Sequence, residues 1–299
     1  MKAKTIKAVI AKKMNEWWES IQDESLRELV KKNTIVTGGS IASMLIREKV
    51  SDFDVYFRDR ETTLAIANHY VARFQARQKE QKGIECPLFV EASEDRIKIV
   101  VKSAGIASET RAGAYVGEVM QDPGAIEDAY EETEQAVLEQ EDDKQDCRPI
   151  FLSTNAVTLS GKIQVVLRFY GEPDEIHKNY DFVHCTNYWT SWDKELVLHK
   201  AALESLLARE LRYVGSKYPV CSIFRTRKFI SRGWTINAGQ MLKICMQVSA
   251  LDLTDIKVLE DQLTGVDVAY FIEVVEKLKA KDPAKVDTAY LVEILDRMF

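Results

Sequence analysis

The sequence predicts an α+β fold: a small mixed sheet with flanking helices, followed by an all-helical C-terminal domain. Between Thr34 and Trp189, short β-rich runs bounded by Gly, Pro and Asn alternate with stretches of helical periodicity. Beyond Trp192 the apolar residues recur at helical spacing to the end. With 299 residues, 46% hydrophobic and 29% charged, the chain has the make-up of a globular protein with a substantial core. The division falls near Ser191. Residues 1–190 form one domain, with an acidic insertion at about 103–149, and 191–299 form the helical domain.

Helices are expected from about Ile6 to Ile21 and from Ser25 to Lys32. "TIVTGG" then reads as a short buried strand ending at a glycine turn. "SIASMLIRE" has helical spacing, with Ser40 placed as its N-cap. "SDFDVYF" alternates: Phe53, Val55 and Phe57 point one way, and Asp52, Asp54 and Tyr56 the other. "TTLAIANHYVARFQARQ" is helical, and "CPLFVE" and "RIKIVVKS" are strands that could pair. "NAVTLSGKIQVVLRFYG" is a hairpin around Gly161-Lys162. "EPDEIHKN" is a short helix, and "YDFVHCTNYW" returns to strand. After Asp193, Leu196, Leu203, Leu207 and Leu211 make one apolar helical face. "VAYFIEVVEKLKA" and "DTAYLVEILDRMF" are two more helices, separated by Pro283.

The net charge of −6 is unevenly spread. Gln121 to Asp146 holds 11 Asp/Glu against one Lys, a local charge of −10. Asp193 to Gly233 holds nine Lys/Arg against four Asp/Glu, or +5. The mean value therefore does not exclude a polyanionic partner. No apolar run approaches the roughly 20 residues of a membrane span. The N-terminal stretch lacks a signal-peptide core. Five cysteines, odd in number and with no Cys-x-x-Cys spacing, speak against a disulfide framework or a cysteine zinc site. No membrane association and a cytoplasmic location are expected.

The chemistry concentrates between Gly38 and Asp54. Asp52 and Asp54 are two apart on a predicted strand, so both carboxylates leave one face. Like charges held so close call for a cation, and an oxygen-seeking divalent ion suits them. Gly38 and Gly39 let backbone approach a ligand, and Ser40 opens a helix whose N-terminal N–H groups favour an anion. One half of the stretch would grip phosphate and the other would grip metal.

Gly39-Ser40, an eleven-residue gap from Ile41 to Ser51, and Asp52-Phe53-Asp54 together resemble the signature of the DNA polymerase β-like nucleotidyltransferase superfamily. Its members carry a Gly-Ser helix N-terminus, a gap of similar length and a strand with Asp-x-Asp. The motif covers Gly38 to Asp54, and its strand–turn–helix–strand context runs from Thr34 to Phe57. The resemblance implies a palm-like sheet in 1–190 and transfer of a nucleotide through two metal ions, Mg²⁺ or Mn²⁺. Gly38, Gly39 and Ser40 would then hold phosphate, and Asp52 and Asp54 both metals. It also implies a third carboxylate on a later strand of the same sheet. Asp181 in "NYDFVHC" is the best match, with Glu91 its competitor. Asp181 would complete the metal that activates the acceptor hydroxyl.

In the C-terminal third, Arg225, Arg227, Lys228 and Arg232 interleave with Phe224, Phe229 and Trp234. Arginine can fork onto phosphate and aromatics can stack on bases, so these residues are candidates for nucleotide or acceptor binding. Packed aromatics with outward cations are the alternative. His69, His177, His184 and His199 show no metal-type spacing.

The expected function is metal-dependent transfer of a nucleoside monophosphate from an NTP to an acceptor hydroxyl, an RNA end being the first guess. Motifs of the Arg-Arg-Asp and Glu-Asp-x-x-Arg type, by which CCA-adding enzymes choose bases, are absent from the sequence. A toxin-like, small-molecule- or protein-modifying transferase is the enzymatic alternative. A non-catalytic protein retaining the fold is the other. The stretch "FYGEPDEIHKNYDFVHCTNYW" also resembles uncharacterised nucleotidyltransferase-like proteins of large phages.

Overall fold

The computed structural model describes residues 1–83, 88–94, 96–101, 147–153 and 155–263. The acidic stretch and the two helices expected after Gly265 lie outside the described residues. The chain divides into two units; described residues up to Val214 belong to the first and those from Gly215 to the second.

The first unit opens with helix α1 (Ala3–Glu19), whose Ile6, Ile10, Met14 and Trp17 recur on one side and are buried. Helix α2 (Glu24–Asn33) starts at Asp23, whose carboxylate accepts from the Leu26 N–H at 3.0 Å. Strand β1 (Thr34–Thr37), helix α3 (Gly39–Ile46) and strand β2 (Phe53–Phe57) follow. Helix α4 (Arg60–Lys82) is capped by Asp59 at one end and by the left-handed Gly83 at the other. Strands β3 (Leu88–Ala92) and β4 (Ile97–Val101) pair with each other in a separate two-stranded sheet. Strands β5 (Pro149–Leu152), β6 (Ala156–Leu159) and β7 (Ile163–Val166) form an antiparallel run. Gly161 and Lys162, both at positive φ, make the turn between the last two. Helix α5 (Pro173–His177), strands β8 (Tyr188–Thr190) and β9 (Leu196–Val197) and helix α6 (Lys200–Ala208) complete the unit.

Seven strands form the main sheet in the order β5-β6-β7-β2-β1-β8-β9. The β2–β7 pair is parallel and its neighbours are antiparallel, so the sheet is mixed. Its two faces differ in chemistry because side chains alternate along each strand. Val36, Phe53, Val55, Phe57, Val157, Leu159, Ile163, Val165 and Trp189 face a core built with Ile10, Trp17, Ile41, Ile66 and Tyr70 of the helices. Within it the Trp17 indole N–H donates to the Tyr70 hydroxyl at 2.7 Å. The opposite face carries Ile35 and Tyr56, covered by Ile176 with Tyr180, Tyr188 and Trp192. Phe53, Val55 and Phe57 thus separate from Tyr56 as alternation predicts.

Three local expectations are corrected. Gly38, not Ser40, is the N-cap of α3, and Ser40 is its second residue. The segment from Tyr180 does not run as a strand: it bends, bridges at Phe182 to Tyr213 and coils into a 3-10 turn at Val183–Cys185. Its backbone groups are taken up locally, the Val183 N–H donating to Arg212 O at 3.0 Å and the Val214 N–H to Asp181 O at 2.9 Å. Leu196 lies in β9, paired across Trp189 at the sheet edge, rather than on a helix. The helix that follows buries Ala202, Ser205 and Leu206 and leaves Leu207 86% exposed.

The described part of the second unit is helical: α7 (Pro219–Ser231), α8 (Ala238–Ser249) and α9 (Ile256–Leu263), with α7 packed on both others. Gln262 fastens α9 to the start of α7, its amide donating to Lys217 O at 3.0 Å while the Cys221 thiol donates to Gln262 O at 2.9 Å. Among the described residues no helix is long and apolar enough to cross a membrane.

Candidate functional site

Strand β1 delivers the chain to Gly38, whose φ of 88° and ψ of −149° suit only glycine. The absent side chain matters twice over. A Cβ there would overlap the Asp54 Oδ2, so the carboxylate lies directly against the turn. The pairing explains the approach, since Thr37, the last residue of β1, is the register partner of Asp54 on β2. The turn and the acidic strand therefore meet.

The same register builds a polar row across four strands. Asp54 pairs with Gln164 of β7, and Thr37 pairs with Tyr188 of β8. Paired residues project from the same face, so Gln164, Asp54, Thr37 and Tyr188 line up there, with Tyr56 one step along β2. Asp52 immediately precedes β2, half-buried like Asp54, and alternation places it on this face.

The turn is held from behind. The Gly38 N–H donates to Cys185 O at 3.1 Å. Thr37 Oγ1 lies 2.9 Å from Asn187 O and 3.3 Å from Cys185 O, and 2.8 Å from His177 Nε2. A hydroxyl has one proton, and both carbonyls can only accept it. When that proton goes to a carbonyl, Thr37 accepts from a His177 Nε2–H and Nδ1 is the acceptor nitrogen. Burial, reinforced by His199, pushes His177 down to about 4, so the ring is neutral at pH 7. Tyr188 and His199 lie around it, with ring centroids 5.6 and 6.4 Å away. Burial, with Tyr56 and Asp54 close by, raises the Tyr180 hydroxyl well above its ordinary range.

Ser40 sits in the first turn of α3, only 2% exposed, and its hydroxyl has no hydrogen-bond partner. The cap residue, Gly38, offers the N-terminal N–H groups no side-chain acceptor. A buried, unsatisfied hydroxyl beside a helix N-terminus is a place where an anion's oxygen would be stabilised.

The other predicted residues occupy the following positions. Asp181 is buried in the bend that pairs with Val214. Glu91 is on β3, in the separate sheet, and forms an ion pair with Lys98 at 3.0 Å. Arg225 is half-buried on α7, and Arg227, Lys228 and Arg232 are exposed, all in the second unit. Trp234 is buried edge-on against Phe229 at 5.6 Å, so that pair serves packing. Thr37, His177, Gln164 and Tyr188 carry no motif of their own; only strand register and a non-local hydrogen bond bring them to the site.

Asp52 and Asp54 supply hard oxygen donors on one face, which fits a single divalent ion sharing phosphate oxygens. Among the described residues the acids fall short of a two-ion set. Among the described residues no three His, Cys, Asp or Glu side chains form a group able to hold a metal. None of the five later strands of the sheet, β5 to β9, contains an Asp or Glu.

The sequence profile of the Gabija anti-defense 2 family matches residues 8–209, well over half of the chain. The chain belongs to that family. The matched residues include every member of the polar row. A Gabija anti-defense 2 protein of Bacillus phage SPbetaL7 is 23% identical over 106 residues, which is 35% of this chain and 26% of that protein. Among solved structures, this Gabija anti-defense 2 family member is similar to the Thermotoga maritima CCA-adding enzyme complexed with tRNA. That likeness has 14% identity and a TM-score of 0.40, covering 96% of this chain and 53% of the other. A tRNA-processing enzyme with CTP gives 12% identity and a TM-score of 0.37, over 84% and 55%. The chain thus spans about a quarter of the phage protein's length and about half of these solved chains.

Proposed function

We propose that this chain counters the Gabija defence as a nucleotidyltransferase. It would bind an NTP at the β1–α3 turn and move the nucleoside monophosphate to an acceptor hydroxyl. The contact between Gly38 and Asp54 carries this reading, because it joins an anion-favouring helix start to a pair of metal-type carboxylates. Ser40 and the first-turn N–H groups of α3 would hold the β- and γ-phosphates. Asp52 and Asp54 would hold Mg²⁺, which when bound would neutralise the phosphates and ease departure of pyrophosphate. His177 and the backbone of Cys185 and Asn187 keep Thr37 and Gly38 in place beneath them. The acceptor oxygen would attack the α-phosphorus, and the bond to the β-phosphate oxygen would break.

An RNA end is one acceptor class. Membership in an anti-defence family favours the other, a component of the defence itself. Incubation with each α-labelled NTP, Mg²⁺, total RNA and lysate of Gabija-bearing cells separates them by where the label lands. Label abolished by Asp54→Ala supports transfer.

A second reading is favoured by the lack of acids on β5 to β9: a protein that binds nucleotide without transferring it. Absence of label with every NTP, alongside intact Mg²⁺-dependent nucleotide binding, is its signature.

A further inference from the structure

We infer that this site holds one divalent ion per chain, on Asp52 and Asp54, and that Gln164 sets that number. The inference rests on the nucleotide site proposed above. Strand β7 is the neighbour of β2 on the side away from β1, and it runs parallel with Gln164 opposite Asp54. Neighbouring strands lie about 4.8 Å apart and paired side chains share a face, so this position stands beside the metal-type carboxylates. A carboxylate there would add the negative charge that a second cation needs. Gln164 is close to a glutamate in shape and carries no charge. Its amide oxygen can face an ion but brings no net negative charge to offset a second cation.

Three acids of the neighbouring elements are engaged in other contacts. Glu172 is bonded to Arg58 at 2.5 Å, and Glu175 to Lys178 at 2.6 Å. Asp193 accepts from the Thr190 hydroxyl and the Glu195 N–H. Asp181 does not join Asp52 and Asp54 in a metal-holding group. Two carboxylates with phosphate oxygens and water satisfy one Mg²⁺. Nucleotide binding would thereby be kept, while among the described residues no third carboxylate joins this pair to hold a second, acceptor-activating ion.

The test counts Mn²⁺ bound to the full chain in the presence of a non-hydrolysable NTP analogue, by electron paramagnetic resonance and by calorimetry. Wild type is expected to bind one Mn²⁺, and Gln164→Glu two, with Gln164→Asp as a second variant and thermal unfolding as the check on folding. Two ions in wild type overturn the inference and leave the nucleotide site standing. One ion in both folded variants overturns the role given to Gln164. No nucleotide-dependent Mn²⁺ in wild type defeats the nucleotide site itself and the inference with it.

Discussion

Gly38 and Asp54 meet at the end of the β1–β2 pair so closely that the carboxylate fills the space a side chain on Gly38 would need. Two costs therefore fall on Gly38→Ala: a backbone conformation closed to other residues and an overlap with Asp54. A loss of about 2 kcal/mol or more is expected by urea denaturation. Gly39→Ala is the control. A Cβ there meets nothing within 4 Å, so stability should change by less than about 0.5 kcal/mol.

Ser40→Ala should separate binding from folding. Its buried hydroxyl has no partner, so removing it should leave the free protein as stable or up to about 1 kcal/mol more stable. If the hydroxyl meets a phosphate oxygen, nucleotide affinity should fall about 5- to 10-fold, the worth of one hydrogen bond. Calorimetric melting and nucleotide titration on the same preparation would show the two effects in opposite directions.

The core hydrogen bond gives a stability test remote from the site. Tyr70→Phe strands the buried Trp17 indole N–H, which now donates to the Tyr70 hydroxyl at 2.7 Å. A cost of about 1–3 kcal/mol is expected. Phe57, whose ring centroid is 6.4 Å from that of Trp17, should keep its packing.

Acid should weaken the fold through two histidines. His177 and His184 are each pushed by burial from 6.5 to about 4. Between those values the unfolded chain binds protons that the folded chain does not. Stability therefore falls as pH drops from about 6.5 to about 4 and changes little from this source above 6.5. Each histidine contributes up to about 3 kcal/mol across that window. In His177→Gln the pH slope of the unfolding midpoint should shrink, as measured by denaturation at a series of pH values.

Much of this architecture is legible in local pattern. Alternation in "FDVYF" separates Phe53, Val55 and Phe57 from Asp54 and Tyr56, because each face of β2 meets a different environment. The hairpin at Gly161-Lys162 is legible too, since its turn needs positive φ at both residues. Ser40 illustrates a limit: a good cap residue is displaced when glycine's own backbone freedom lets Gly38 cap the helix two residues earlier. The aromatic run from Tyr180 shows another. Apolar residues demand burial, but whether they form a strand depends on distant partners, here Arg212 and Val214. The row from Gln164 to Tyr188 exists only through strand pairing, so neither residue could be marked from its neighbours in sequence.

The most direct test of the central claim, that the Gly38 turn and the Asp52–Asp54 strand form one metal-dependent nucleotide site, is equilibrium binding of NTPs to wild type and to Asp54→Asn, with Mg²⁺ and with EDTA. The expected result is Mg²⁺-dependent binding to wild type, weakened at least about tenfold in a folded Asp54→Asn protein. Equal affinity in the two proteins, or no NTP bound by wild type under any condition, would contradict it.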